Sequence, residues 1–134
     1  MRPIDRIVIH HSASPRDTTT IEMITKWHVQ DRGYDAIAYH LVILGTGAVR
    51  SGRDLAVKGA HAKGYNAYSI GICVVGDNTK PAQAWNAAQL LSLRAVIRAL
   101  LAAFPGANVC GHRDVGATEC PGTDVRALLL SEQT

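Results

Sequence analysis

From residue 4 to residue 11 the chain reads Ile-Asp-Arg-Ile-Val-Ile-His-His, β-branched and apolar with almost no polar break. Such a run suits a strand covered on both faces better than one half exposed. Side chains alternate along a strand, so Val8, His10 and Ser12 face one way and Ile7, Ile9 and His11 the other. Only one histidine of the pair can therefore reach a given site at the strand's end. After a Ser-Pro-Arg-Asp turn, Thr19-Thr20-Ile21-Glu22 has the form of a capping box, and Ile21, Ile24, Trp27 and His28 recur at helical spacing until Gly33. That stripe is expected to be core, with His28 at the surface or its boundary rather than on a metal.

Residues 36–44 predict a second strand, turned at Gly45-Thr46-Gly47 into a third over 48–51, a hairpin that carries Tyr39 and His40 into the sheet. Residues 52–68 are irregular, rich in glycine and asparagine, and contain His61, Tyr65 and Asn66; loops of that length in a small domain tend to be functional. The apolar run at 69–76 predicts a buried strand with Cys73 as filler. Residues 81–104 predict one long packing helix, with Pro81 in its first turn and Pro105 stopping it. A short strand at 107–110 and a final helix capped by Thr123-Asp124 and running to about residue 130 complete the pattern.

Composition narrows the function classes. With 134 residues, 47% of them apolar, the chain can bury one real core and has no room for a second. A net charge of +3 without any run of Lys or Arg does not favour nucleic acid as a partner, although it would help approach to an anionic cell wall. Cys73, Cys110 and Cys120 are odd in number and form no disulfide framework, which fits a reducing compartment during synthesis. The N-terminus enters a strand at once, with no signal-peptide apolar region, and no segment is long enough to span a bilayer, so membrane insertion is not expected.

The chemistry concentrates in residues 111–122, Gly-His-Arg-Asp-Val-Gly-Ala-Thr-Glu-Cys-Pro-Gly. Glycine and proline here argue for a loop, in which His112 and Cys120 can converge. Imidazole and thiolate are ligand types that Zn²⁺ accepts, and a third can come from the His10-His11 pair. Three protein ligands with one open position suit a catalytic zinc rather than a structural one. Taken singly, the same residues are equally a loop histidine and a buried thiol. Cys110 is expected to pack inward, and Arg113 and Asp114 to brace the loop.

Five segments occur in a fixed order: Val-Ile-His-His-Ser-Ala, Ala-Tyr-His-Leu-Val-Ile, Gly-Ala-His-Ala-Lys-Gly-Tyr-Asn, Ser-Ile-Gly-Ile-Cys-Val-Val-Gly and the 111–122 loop. The series, covering residue 7 to about residue 126, resembles the zinc-dependent N-acetylmuramoyl-L-alanine amidases shared by phage endolysins and animal peptidoglycan recognition proteins. The resemblance implies an α/β fold: a single domain over residues 1–134, with a central mixed β-sheet flanked by about three helices. It implies Zn²⁺ held by His10, His112 and Cys120, leaving His11 to pack or support, and cleavage between N-acetylmuramic acid and L-alanine of the stem peptide. Tyr39 is expected beside the zinc as a catalytic residue. Thr118 takes the second catalytic position, which is lysine in some phage enzymes, and is expected to donate a hydrogen bond rather than act as an acid. His61 is expected to line the groove and to orient substrate or stabilise the oxyanion; Arg53 and Asn66 are candidates for contacting the stem. Peptidoglycan or muropeptides are the expected partners of a monomer made in the cytoplasm and released to the wall, as in a phage or prophage endolysin. The competing reading is a non-catalytic peptidoglycan binder or regulatory partner of the same fold; receptors of this fold usually lack the cysteine ligand.

Overall fold

The apolar run near the N-terminus is the spine of the sheet in the computed structural model, which describes residues 1–131. Five strands, β1 (Arg6–His11), β2 (Leu41–Ile43), β3 (Val49–Ser51), β4 (Ser69–Val74) and β5 (Asn108–Gly111), lie in the order β3-β2-β4-β1-β5. β1 pairs in parallel with β4 on one side and β5 on the other, β2 pairs in parallel with β4, and β3 closes the edge antiparallel to β2. Three α-helices accompany them: α1 (Ile21–Lys26), α2 (Ala87–Ala103) and α3 (Val125–Ser131). This is the mixed sheet with three helices that the resemblance implied.

Both faces of the sheet are covered, which is why β1 and β4 read as unbroken apolar runs. Ile7, Ile9, Ile43, Ile70, Ile72 and Val74 pack with Leu93, Ile97 and Leu100 of α2 and Val125 of α3. Each such buried aliphatic contributes roughly 1.5–3 kcal/mol. Val42, Cys73 and Val75 face Ile24 and Ile37 on the other side, near Val8, Ala62 and Cys110. His10 shares this second face with Val8, so the alternation along β1 sends it to the α1 side. Parallel strands all end there in the same direction, and the crevice beyond their carboxyl ends is where open α/β sheets bind ligands.

Several elements depart from the sequence pattern for identifiable reasons. The cap of α1 is Thr20, whose hydroxyl accepts from Met23 N–H, while the Thr19 hydroxyl donates to the Pro15 carbonyl. The helix is α-helical only to Lys26; Trp27–Asp31 is a π-helical turn closed by Arg32 N–H to the Trp27 carbonyl. Hydrophobic spacing cannot separate that wider turn from an α-helix. His28, expected near the surface, is buried, and its Nδ1 accepts from Ala38 N–H at 2.9 Å. That bond, with Arg53 Nε donating to the Ile37 carbonyl at 2.7 Å, takes main-chain groups that a longer second strand needs. Regular pairing therefore starts only at Leu41. The helix expected from residue 81 is divided: Pro81–Gln83 is a 3₁₀ turn, and α2 begins after Asn86, where Asn86 and Gln89 cap each other's backbone N–H. At the last helix, Asp124 Oδ1 accepts from Ala127 N–H, as its capping role predicts.

Candidate active site

The sheet register does most of the assembly. Ile9 of β1 lies opposite Gly111, the last residue of β5, so the residues that follow, His10 on β1 and His112 just past β5, emerge side by side with ring centroids 4.6 Å apart. The loop after β5 then doubles back. Arg113 N–H donates to the Cys120 carbonyl at 2.7 Å, Asp114 accepts from Gly111 N–H at 2.8 Å, and Asn78 donates to the Pro121 carbonyl at 2.8 Å. Cys120, which precedes a cis proline, is thereby set against the two histidines. Among the described residues one group of His, Cys, Asp and Glu is arranged to hold an ion: donor atoms of His10, His112 and Cys120 all lie within 4.8 Å of one another.

The donor set fits a borderline-soft divalent cation. Cys120 Sγ is 3.8 Å from His10 Nδ1, long for a useful hydrogen bond and close to the ~3.6 Å separation of a thiolate and an imidazole on one tetrahedral zinc. Burial, reinforced by the imidazoles of His61, His112 and His11, holds His10 well below the usual imidazole value, and burial lowers His112 as well. Both are therefore neutral and able to ligate. Burial also pushes the Cys120 thiol up to about 11, only partly offset by a hydrogen bond with the main chain of His11. What the trio lacks is positive charge, which a bound divalent cation supplies, and such a cation ionises a coordinating thiol.

The trio opens into a cleft of about 420 Å³ that Tyr39, His61 and Thr118 also line. A larger groove of about 540 Å³ lies between α1 and the β3 edge, but it is mostly apolar and holds none of the ligand trio. The chemistry is therefore in the smaller, polar cleft. The Tyr39 ring sits 5.0 Å from that of His10. Burial first, then the thiols of Cys73 and Cys120, raises its phenol well above the usual value, so it remains a hydrogen-bond donor at neutral pH. Thr118 is exposed, and its oxygen accepts from Cys120 N–H at 3.2 Å, leaving the hydroxyl proton free to donate into the cleft.

Residues 1–123 match the family model described as N-acetylmuramoyl-L-alanine amidase. The chain belongs to this family. It is 38% identical to the endolysin of Escherichia phage T7 over 126 residues, covering 91% of this chain and 83% of that protein. Its fold matches the endolysin of the Thermus scotoductus bacteriophage Ph2119 with a TM-score of 0.87 and 30% identity, over 96% of this chain and 84% of the other. A Drosophila peptidoglycan recognition protein, solved as a variant in complex with tracheal cytotoxin, aligns with a TM-score of 0.84 and 29% identity over 98% and 82% of the two chains. The protein is accordingly a peptidoglycan amidase, acting on the bond between N-acetylmuramic acid and L-alanine.

In this amidase the structure brings His10, His112, Cys120, Tyr39, Thr118 and His61 to one cleft. Two other residues expected at the substrate lie outside its lining. Arg53 is committed to main chain and a loop carboxylate: Nε to the Ile37 carbonyl, a terminal nitrogen to the Lys58 carbonyl at 3.1 Å, and the other to Asp35 at 3.0 Å. Asn66 Oδ1 accepts from both His61 N–H and Ala62 N–H at 2.9 Å, closing the loop that carries His61. Both residues shape the site without facing it. His11 faces away from the trio, and its Nδ1 accepts from Asn78 N–H at 3.2 Å. The sequence pattern missed Arg32, an exposed cation that the π-helical turn places on the cleft beside His28.

Proposed function

We propose that this amidase is a zinc enzyme of endolysin type, with Zn²⁺ held by His10, His112 and Cys120. The observation that carries this reading is the convergence of two neutral imidazoles and one thiol from chain segments 110 residues apart at the mouth of a polar cleft. Bound there, zinc supplies Lewis acidity toward the scissile carbonyl. The chain's own groups do the rest. Tyr39, held protonated, donates toward the oxygen that gains charge as the carbonyl is attacked, and the Thr118 hydroxyl donates from the opposite lip. Arg32 provides the cation that a carboxylate of the stem peptide meets in the cleft. The likeness to the T7 and Ph2119 endolysins supports an endolysin role; on this reading the protein is made in the cytoplasm, meets peptidoglycan or its muropeptides once released, and works as a monomer. Among the described residues no helix is long and apolar enough to cross a membrane.

The test is product analysis on purified peptidoglycan. The expected result is new α-amino groups on L-alanine with no new reducing sugar ends, abolished by a chelator and restored by zinc. New reducing ends, or hydrolysis that survives complete metal removal, would refute the proposal. A non-catalytic binder predicts no bond cleavage under any metal condition.

A further inference from the structure

Behind the ligand trio, three polar side chains form a line running into the sheet. His10 Nδ1 faces Cys120, and its other nitrogen, Nε2, lies 2.8 Å from His61 Nδ1. His61 Nε2 in turn lies 3.3 Å from the hydroxyl of Ser69, the first residue of β4. His10, His61 and Ser69 are 1%, 7% and 0% exposed, so none of these contacts is shared with solvent. Both ring nitrogens of His61 are thereby engaged inside the protein.

Room for this line is built into the backbone. Gly71 sits in the interior of a fully buried strand, where glycine costs stability and marks a close approach. A Cβ at Gly71 would lie 2.6 Å from the His61 ring, and one at Gly59 would lie 2.7 Å from the same ring. The His61 ring therefore occupies a slot between two positions from which side chains are missing. Asn66 fixes the main chain on which it is mounted.

Donor counting gives the line a direction. A hydrogen bond from His10 Nε2–H to His61 Nδ1 requires His61 to carry its proton on Nε2, which then donates to Ser69 Oγ. His10 Nδ1 keeps a free lone pair. In the reverse direction His61 donates to His10 Nε2, the His10 proton sits on Nδ1, and that atom cannot ligate. Partners of this kind fix the tautomer and ring orientation of a ligand histidine.

We propose that His61 and Ser69 are positioning residues that hold His10 as its Nε2–H tautomer with Nδ1 turned to the metal, and that Gly71 exists to admit the His61 ring. The inference rests on the zinc reading above and assigns His61 a task other than touching substrate. It is tested by metal affinity and by imidazole ¹⁵N NMR, neither of which needs turnover. The variants are H61N, which keeps an acceptor near the Nδ1 position, H61L, which removes it, and S69A. Zinc affinity, from competition with a chromophoric chelator, is expected to fall roughly 10- to 100-fold in H61L. S69A should lose less, and H61N should recover most of the loss. In the zinc-loaded wild type, His10 is expected to show a protonated Nε2 and a metal-bound Nδ1. Thermal melts of the metal-free variants separate misfolding from a specific effect. A wild type that binds no zinc sinks the zinc reading itself. A wild type that binds zinc, with folded H61L and H61N equal to it or equally impaired, overturns this inference alone, as does a His10 that ligates through Nε2.

Discussion

At the scale of single residues, Cys120 is the sharpest discriminator between a catalytic and a structural metal. It is half-buried, and its sulfur makes only long contacts, 3.8 Å to His10 Nδ1 and 3.8 Å to the His11 carbonyl. Little of the fold depends on it. In Cys120→Ser, zinc affinity and amidase activity are expected to fall by at least about two orders of magnitude, while the metal-free protein melts close to the wild type. A variant that no longer folds would mean that the ion holds the domain together, and the hydrolytic role would lose its support. His112 and Cys120 were legible in the sequence because they share one glycine-rich loop; strand alternation put His10 and His11 on opposite faces, and the family resemblance chose His10. Ser69 was not legible: its hydroxyl acquires a role only when β4 is placed beside β1. The glycine two positions later, buried in an apolar run, was the available signal.

At the scale of elements, the reciprocal cap at the start of α2 connects local chemistry to the sheet. Asn86 Oδ1 accepts from Gln89 N–H at 2.9 Å, and its amide nitrogen donates to the Gly45 carbonyl in the β2–β3 turn at 2.8 Å. Gln89, fully buried, donates in turn to the Val75 carbonyl just beyond β4 at 2.7 Å. Asn86→Ala is expected to cost about 1–2 kcal/mol in urea unfolding, the upper part of the usual capping range, because a second bond goes with the cap. Zinc affinity should be unchanged, since the residue lies outside the cleft lining. The existence and order of β1, β4, β5 and the helices could be read from hydrophobic runs, because both sheet faces are covered and periodicity reports burial directly. The second strand was read too long, since nothing in its own residues reveals that His28 and Arg53, distant in sequence, take its main-chain groups. The start of α2 was read too early because Pro81 is compatible with a helix's first turn and equally with the separate 3₁₀ turn it makes.

At the scale of the whole molecule, all six histidines are held below their ordinary value, with burial the first cause in each case. The folded chain thus keeps them neutral where the unfolded chain would protonate them. Below the unfolded value of about 6.5 the unfolded state binds more protons, so stability present at higher pH is lost as pH falls. For His61, lowered to about 3, the loss continues down to that value, at up to about 1.4 kcal/mol per pH unit from this group alone. Chelator-treated protein is expected to show a urea midpoint that drops steadily from pH 7 to pH 5. A midpoint flat across that range would mean that these imidazoles are not neutral and buried together.

The central place of β1, between two strands that come later in the chain, has a temporal consequence. His10 leaves the ribosome 110 residues ahead of the cysteine it is to meet. At ordinary rates of translation that interval is on the order of ten seconds. With the ligand set proposed above, a nascent or truncated product that stops short of Cys120 lacks the third donor and is expected to hold no catalytic zinc.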